Sequence, residues 1–326
     1  MTPILTWPSR SLAAVVGLAV LCAAAFPTPA LAYGKKGHQT VGAIADELIQ
    51  GSNAEKKVKA LLGTETLSHA STWPDEVKHG PFTAETKAYA GRNPHHGTNH
   101  FADIPIQEKA YSAGSVGADP EDVVATILRC IKVLESGKDD ATITQKEALK
   151  VLVHLVGDIH QPLHVGSIYL GKDGKMVFPK TKAEAKATST TGGNDLDFHG
   201  NLHSYWDDAT VDHAMSKAKV KSVSALAHQF ATHGPAGWQS GSLISQWGKR
   251  WATEMMPLAT EAYGRLMIQP QASEMRKEFG VIKKVTFWPS AAKDDAGYNT
   301  WSTDVTTRNL GRAGWRLAAL LKKIWP

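Results

Sequence analysis

Between residues 154 and 164 the chain reads His-Leu-Val-Gly-Asp-Ile-His-Gln-Pro-Leu-His. His154 and Asp158 stand four apart, which places them on one face of a helix. Leu149, Val151, Leu152, Val153, Leu155 and Val156 make the same segment apolar on every side, the pattern of a buried helix. A buried carboxylate and a buried imidazole each need a partner. Taken alone, this pair favours a hydrogen bond satisfied inside the core, the common fate of buried polar groups. A second copy of the spacing, His203 and Asp207 within Asn201-Leu-His-Ser-Tyr-Trp-Asp207, weakens that reading. His38, His100 and His164 add imidazoles, and Asp75 in Ser71-Thr-Trp-Pro-Asp-Glu-Val-Lys78 adds a carboxylate. These nitrogen and oxygen donors, with no thiolate among them, suit zinc better than an iron–sulfur or copper–thiolate site. Spacing alone leaves open whether they converge. His160 falls on a different helix face from His154 and reads as a structural hydrogen-bonding residue.

The elements that must position these residues are helical almost throughout. Val41, Ile44, Leu48 and Ile49 recur at helical spacing. Asn53 reads as the cap of a short helix ending at Gly63. Asp119-Pro120 reads as a cap followed by proline at the first helical position, with Val123 to Leu134 as the helix and Gly137 as its stop. The buried helix starts near Gln145, and Pro162 ends or kinks it. Further helices are expected at about 203–217, 221–232, 241–267 and 306–324. One segment departs: Ser167 to Phe178 reads as a small hairpin around Gly171-Lys-Asp-Gly174, continuing into a polar loop with lysines that ends at Thr191-Gly-Gly-Asn194. The expected fold class is all-α, a single multi-helical domain with a small β-hairpin excursion near 167–180.

Composition sets the outer bounds. The 326 residues are 42% hydrophobic and 21% charged, which excludes wholesale disorder. The only apolar run near membrane-span length, Ser11 to Phe26, follows Arg10 and precedes Ala30-Leu31-Ala32. That is the order of a secretory signal, so residues 1–32 are expected to be removed and the mature protein to begin at Tyr33, outside any membrane. Cys22 leaves with the signal, and Cys130 alone cannot form an intramolecular disulfide. With no Asn-x-Ser/Thr acceptor either, bacterial export is expected, to the periplasm or beyond. The net charge of +5 suits a polyanionic partner.

The chain resembles the zinc-dependent type I nucleases, secreted single-strand-specific nucleases and 3′-nucleotidases that share a helical fold with zinc-dependent phospholipase C. Residues Tyr33 to about Leu321 carry the likeness: Gly37-His38 with Val41-Gly42, Trp-Pro-Asp75, His100-Phe101-x-Asp103, His154 to Val165, and Gly192-Gly-Asn-Asp195. It continues in Asn201-Leu-His-x-x-Trp-Asp207, Trp251-Ala-x-Glu254 and Ala313-Gly-Trp-Arg-Leu-Ala318. The resemblance implies one nuclease domain over 33–326 holding three zinc ions. Asp75, His100, His154 and Asp158 match the ligands of one. Asp158 matches a carboxylate bridging to a second, which also takes His38 and the amino nitrogen and carbonyl oxygen of Tyr33. His164, His203 and Asp207 match those of the third. Asp75 and Asp158 are thereby also catalytic candidates. Lys78 stands where the family usually has an arginine on the phosphate, keeping charge but losing the two-pronged geometry. Phe101 and Asp103 match positions that stack on and hydrogen-bond a nucleobase. The implied substrates are single-stranded DNA and RNA, cut to 5′-phosphorylated products, and 3′-nucleotides, with the protein a monomer. A zinc-dependent phospholipase C and a non-catalytic zinc- or nucleic-acid-binding protein are the alternatives. The former usually has glutamate where this chain has Asp207, and the latter would be expected to have lost a ligand.

Overall fold

The computed structural model describes residues 33–326 apart from 279 and 280. The expected signal, 1–32, lies outside the described residues. Helices dominate in chain order: α1 (Lys35–Leu48), α2 (Asn53–Leu62), α3 (Leu67–Ala70), α4 (Trp73–His79), α5 (Ala84–Arg92), α6 (Val123–Ser136) and α7 (Gln145–Asp158). They continue with α8 (Lys182–Thr188), α9 (Leu202–Ser204), α10 (Thr210–Lys217), α11 (Val223–Thr232), α12 (Trp247–Gly264) and α13 (Asp295–Ile324). Short strands are interspersed: β1 (Ile104–Pro105), β2 (Gly166–Ser167), β3 (Tyr169–Leu170), β4 (Met176–Val177), β5 (Leu196–Asp197), β6 (Leu266–Ile268), β7 (Ala272–Glu278) and β8 (Val281–Ala292). The all-α class expected from the sequence holds. Among the described residues no helix is long and apolar enough to cross a membrane.

α7 is the axis of the molecule. Thr144 and Glu147 close a reciprocal capping box at its start, and every residue from Glu147 to Asp158 is buried. An all-apolar surface needs neighbours on all sides, and α1, α3, α4, α6 and α13 supply them. α13 is the longest helix and packs along α1 and α10 as well. Two local expectations are corrected by capping chemistry. Ser52, not Asn53, caps α2, because its hydroxyl accepts from Glu55 N. Asp122, not Asp119, caps α6: its carboxylate accepts from Val124 N and Ala125 N, and Pro120 lies in the preceding turn. Gly63 and Gly137 end their helices at positive φ, as expected.

The hairpin at 167–180 is present, with Tyr169 opposite Val177 and Leu170 opposite Met176. The expected helix over 203–217 carries a π-turn at Tyr205–Ala209 in its middle. Such turns frequently mark functional positions, and this one holds Asp207. The helix expected over about 241–267 runs from Trp247 to Gly264, and strands that were not expected follow it. β6 and β7 both pair antiparallel with β8, and β5 pairs parallel with it. The β-branched Ile282, Val285 and Thr286 of β8 favour the extended backbone of the ribbon. The last helix begins at Asp295, well before 306, because the Asp294 carboxylate caps it by accepting from Gly297 N.

α1 reaches the centre through a close approach. A Cβ on Gly42 would fall 2.6 Å from Leu67 O and from Ser68 N, both backbone atoms that cannot swing aside. Gly42→Val gains a few tenths of a kcal/mol in helix propensity but forces α1 off α3. It is expected to destabilise the protein by about 2 kcal/mol, read as a lower urea midpoint. An unchanged midpoint would show that α1 has freedom to slide.

Candidate metal centre

The C-terminal turn of α7 presents His154 and Asp158, both fully buried. His154 Nδ1 donates to Ser71 O at 2.7 Å, so its Nε2 carries the lone pair. That nitrogen lies 3.2 Å from Asp158 Oδ2, 3.8 Å from Asp75 Oδ1 and 2.9 Å from His100 Nδ1. Asp75 comes from the first turn of α4. His100 ends a 3-10 turn, and its Nδ1 is 3.1 Å from Asp158 Oδ2. On the other side His38 of α1 stacks on the His154 ring, centroids 3.8 Å apart, and its Nε2 is 3.2 Å from Asp158 Oδ1. Glycine is required where that ring crosses α7: a Cβ on Gly157 would meet His38 Nδ1 at 2.7 Å. The two oxygens of Asp158 therefore face two different donor groups.

After α7, a 3-10 turn at Pro162–His164 brings His164 round. Its Nδ1 donates to His100 O at 2.7 Å, and His203 Nδ1 donates to Gly192 O at 2.8 Å. Their Nε2 atoms then face each other at 3.0 Å, 3.7 Å and 3.4 Å respectively from the oxygens of Asp207. Three donor groups result: His38–His154–Asp158, Asp75–His100–His154 and His164–His203–Asp207, the ligand atoms of each lying within 4.8 Å of one another.

The residues fit a bound cation. With both Nδ1 atoms donating to carbonyls, His164 and His203 point lone pair at lone pair, an arrangement that only a positive charge between them makes favourable. Asp158 Oδ1, Asp75 Oδ2, Asp207 Oδ2 and both nitrogens of His38 are buried with no hydrogen-bond partner. In the bare protein a proton takes part of that role. Burial pulls His164 down, but Asp158 and Asp207 outweigh it and raise its pKa to about 9. Burial lowers His203, with His164 adding to the effect, and it lowers His100 to about 4 despite the Asp158 hydrogen bond. Burial pushes Asp158 up, yet His154 and His164 hold it well below the usual carboxylate range.

Tyr33 is buried against this centre. Its nitrogen is 3.2 Å from Asp207 Oδ1, its carbonyl accepts from His38 N at 3.2 Å, and its hydroxyl donates to His160 O at 3.2 Å. His160 is not among the three groups. Its Nδ1 donates to Val156 O at 2.7 Å and its Nε2 accepts from Arg316 Nη1 at 2.8 Å. Burial, reinforced by Arg316, keeps this imidazole neutral, as its structural reading requires. Arg316 is itself fully buried, held by Trp238 O, Gly237 O and, at 2.6 Å, Glu254 Oε2.

A pocket of about 490 Å³ opens beside the centre, lined by Lys78, Phe101, Asp103, Asn194 and the imidazoles of His100, His164 and His203. The β1–β2 ladder pairs Ile104 with Gly166, so the chain carrying Phe101 and Asp103 is stitched to the chain carrying His164. Asp103 adopts φ 49° and its carbonyl accepts from Tyr169 Oη at 2.6 Å. Its buried Oδ1 has no partner, and desolvation raises its pKa to about 6. The 167–191 excursion thus touches the pocket at both ends. Its tip instead leans on the β ribbon, where Trp288 Nε1 donates to Gly171 O at 3.0 Å.

Sequence reasoning missed Gln161, whose Nε2 donates to Asp207 Oδ1 at 2.8 Å while its Oε1 accepts from Leu163 N. Its place between His160 and Pro162 was the only hint. The motif containing Arg316 was visible, but its link to His160 was not.

A sequence model of the S1/P1 nuclease family matches residues 33–326. Among curated proteins, endonuclease 3 of Arabidopsis thaliana is 27% identical over 222 residues, 65% of either chain. Endonuclease 2 of the same plant is 25% identical over 305 residues, 90% of either chain. Nuclease S1 of Aspergillus oryzae is 28% identical over 203 residues, 58% of this chain and 59% of its own. The chain therefore spans just under two thirds of endonuclease 3 and of the similarly matched endonuclease 4.

Gln161 orients one carboxylate of the third donor group, and such outer partners typically account for 10- to 100-fold in metal affinity. Gln161→Met is expected to weaken zinc binding by the His164–His203–Asp207 group about tenfold or more, read by competition with a chelator. Unchanged affinity would mean that Asp207 is held without it.

Proposed function

We propose, since this chain belongs to the S1/P1 nuclease family, that it is an exported zinc-dependent endonuclease. It cuts single-stranded DNA and RNA to 5′-phosphorylated products and removes the phosphate of 3′-nucleotides. The observation that carries this reading is Asp158, whose two oxygens face separate donor groups beside an open pocket.

In this reading Asp75, His100, His154 and Asp158 would hold one zinc ion. Asp158 would also serve a second, together with His38 and the nitrogen and carbonyl oxygen of Tyr33. His164, His203 and Asp207 would hold a third. When bound, zinc supplies Lewis-acid charge to the phosphoryl oxygens and lowers the pKa of water towards neutrality.

The chain's own residues do the rest. Ser71 O, His100 O and Gly192 O each accept a hydrogen bond from an Nδ1–H and so keep the opposite nitrogen free to ligate. Lys78, three residues after Asp75 and therefore on the same face of α4, brings positive charge to the pocket wall as a point charge. Phe101 offers a ring on which any base can stack, and a duplex hides that base face, which favours single strands. Asp103 offers a carboxyl group for the base edge. A peptide nitrogen is a poor metal donor because its lone pair is delocalised. The Tyr33 nitrogen becomes a primary amine only when the chain starts there, so removal of residues 1–32 would complete the centre.

Product analysis on single-stranded DNA, RNA, a 3′-nucleotide and phosphatidylcholine, with and without chelator, tests the assignment. Chelator-sensitive release of 5′-phosphorylated fragments is expected, and Asp158→Asn should lower that activity by about 100-fold or more. Cleavage of phosphatidylcholine with none of RNA would overturn it, and near-normal turnover of Asp158→Asn would remove the shared carboxylate from the mechanism.

A further inference from the structure

Among the described residues Lys150 is the one buried lysine. It stands on α7 four residues before His154, on the helix face that leads to the metal centre. Its Nζ lies 3.2 Å from Glu65 Oε2, 3.5 Å from Glu85 Oε1 and 5.3 Å from the centre of the Trp73 ring. Neither carboxylate depends on it alone. Glu65 also meets His69 Nδ1 at 2.8 Å, and Glu85 meets Lys146 at 3.8 Å. Lys146 reaches Glu85 while half-exposed, so an ion pair with that carboxylate does not require a buried ammonium. What the inward course of Lys150 adds is the face of Trp73.

Trp73 opens α4, and Asp75 follows in the same first turn. The ring is buried, edge-on to Tyr89 at 5.1 Å, and its Nε1 has no hydrogen-bond partner among the described residues. Its placement therefore rests on packing and on the ammonium over its face, an attraction that grows when both are taken out of water. The stretch from 71 to 75 thus meets α7 at three successive points. Ser71 O accepts from His154 Nδ1, the Trp73 ring takes Lys150, and Asp75 Oδ1 lies 3.8 Å from His154 Nε2. A turn of α4 about its own axis would carry Asp75 out of its donor group. It would also shift Lys78, three residues on, which lines the pocket.

We propose that Lys150 is a positioning residue for the metal centre: its ammonium, held over Trp73, sets the rotation of α4 that brings Asp75 to His100 and His154. The inference rests on the zinc reading above for the ion that Asp75 serves. Lys150 belongs to none of the three donor groups and does not line the pocket, so it acts through α4. An arginine at this position keeps the charge and can stack on an indole. A methionine keeps a flexible stem without the charge, and it leaves Glu65 with His69 and Glu85 with Lys146.

The test titrates the mature protein, stripped of metal, with zinc in competition with a chromophoric chelator. Lys150→Met, Lys150→Arg, Trp73→Leu, Asp75→Ala and the double variant Lys150→Met/Asp75→Ala are titrated alongside. Lys150→Met should weaken one bound ion about tenfold or more, as the loss of a partner behind a ligand does, with the others within about twofold of normal. Trp73→Leu keeps the lysine and both carboxylates and should weaken the same ion. Lys150→Arg should hold that ion within about threefold of normal, because the cation over the ring is retained. Asp75→Ala marks which ion is concerned, and adding Lys150→Met to it should cost that ion nothing further. Full affinity for every ion in Lys150→Met or in Trp73→Leu would overturn the proposal. So would equal weakening of all the ions, or losses from Lys150→Met and Asp75→Ala that add. An unsubstituted protein that binds no zinc would overturn the zinc reading on which the inference rests.

Discussion

Everything in this molecule is subordinate to keeping unshared lone pairs and carboxylates together in a dry interior. At the end of α7, Asp158 and His154 are fully buried, with His38, also fully buried, stacked against them and His100 edge-on. Such a cluster repels itself in low dielectric unless a cation sits within it. The backbone holds three of the imidazoles, those of His154, His164 and His203, by one device: a carbonyl accepts a hydrogen bond from Nδ1. Those carbonyls belong to Ser71, His100 and Gly192, far apart in sequence, so the helical body is the frame that holds three distant acceptors in register.

A second frame lies behind the first. Arg316 carries a buried guanidinium to His160 and is neutralised by Glu254, tying α13 and α12 to the turn that leads from Asp158 to His164. Burying an unpaired guanidinium is costly, whereas one hydrogen-bonded to two carbonyls, a carboxylate and an imidazole is satisfied. His160 is thereby denied to metal. Its carbonyl is used instead, accepting from Tyr33 Oη and from Asn309 Nδ2 at 2.9 Å.

Much of the centre was legible because a helix converts spacing into geometry. The interval of four between His154 and Asp158 survives directly as a shared face. So does that between His203 and Asp207, even with a π-turn between them. The convergence of the two pairs was not legible, since it depends on Pro162 turning the chain and on the β1–β2 ladder joining residue 104 to 166. Helix starts were misplaced by one to three residues wherever two capping residues competed, as with Ser52 and Asn53 or Asp119 and Asp122. The ribbon of β6, β7 and β8 escaped because its charged face looks like solvated loop. Its strand character rests on pairing that no local pattern contains.

The hydrogen bonds around His160 also tie together stretches of chain that are far apart in sequence. Asn309 and Arg316 reach it from 149 and 156 residues downstream, and the contact of Tyr33 with Asp207 spans 174. Contacts of such separation carry a loop-closure entropy cost that grows with the length of chain between them. A growing chain that ends short of residue 316 lacks the guanidinium that satisfies His160, and one without residue 207 lacks the carboxylate that the Tyr33 nitrogen meets. The complete centre is therefore a product of the completed chain, since its donors come from residues 38 to 207.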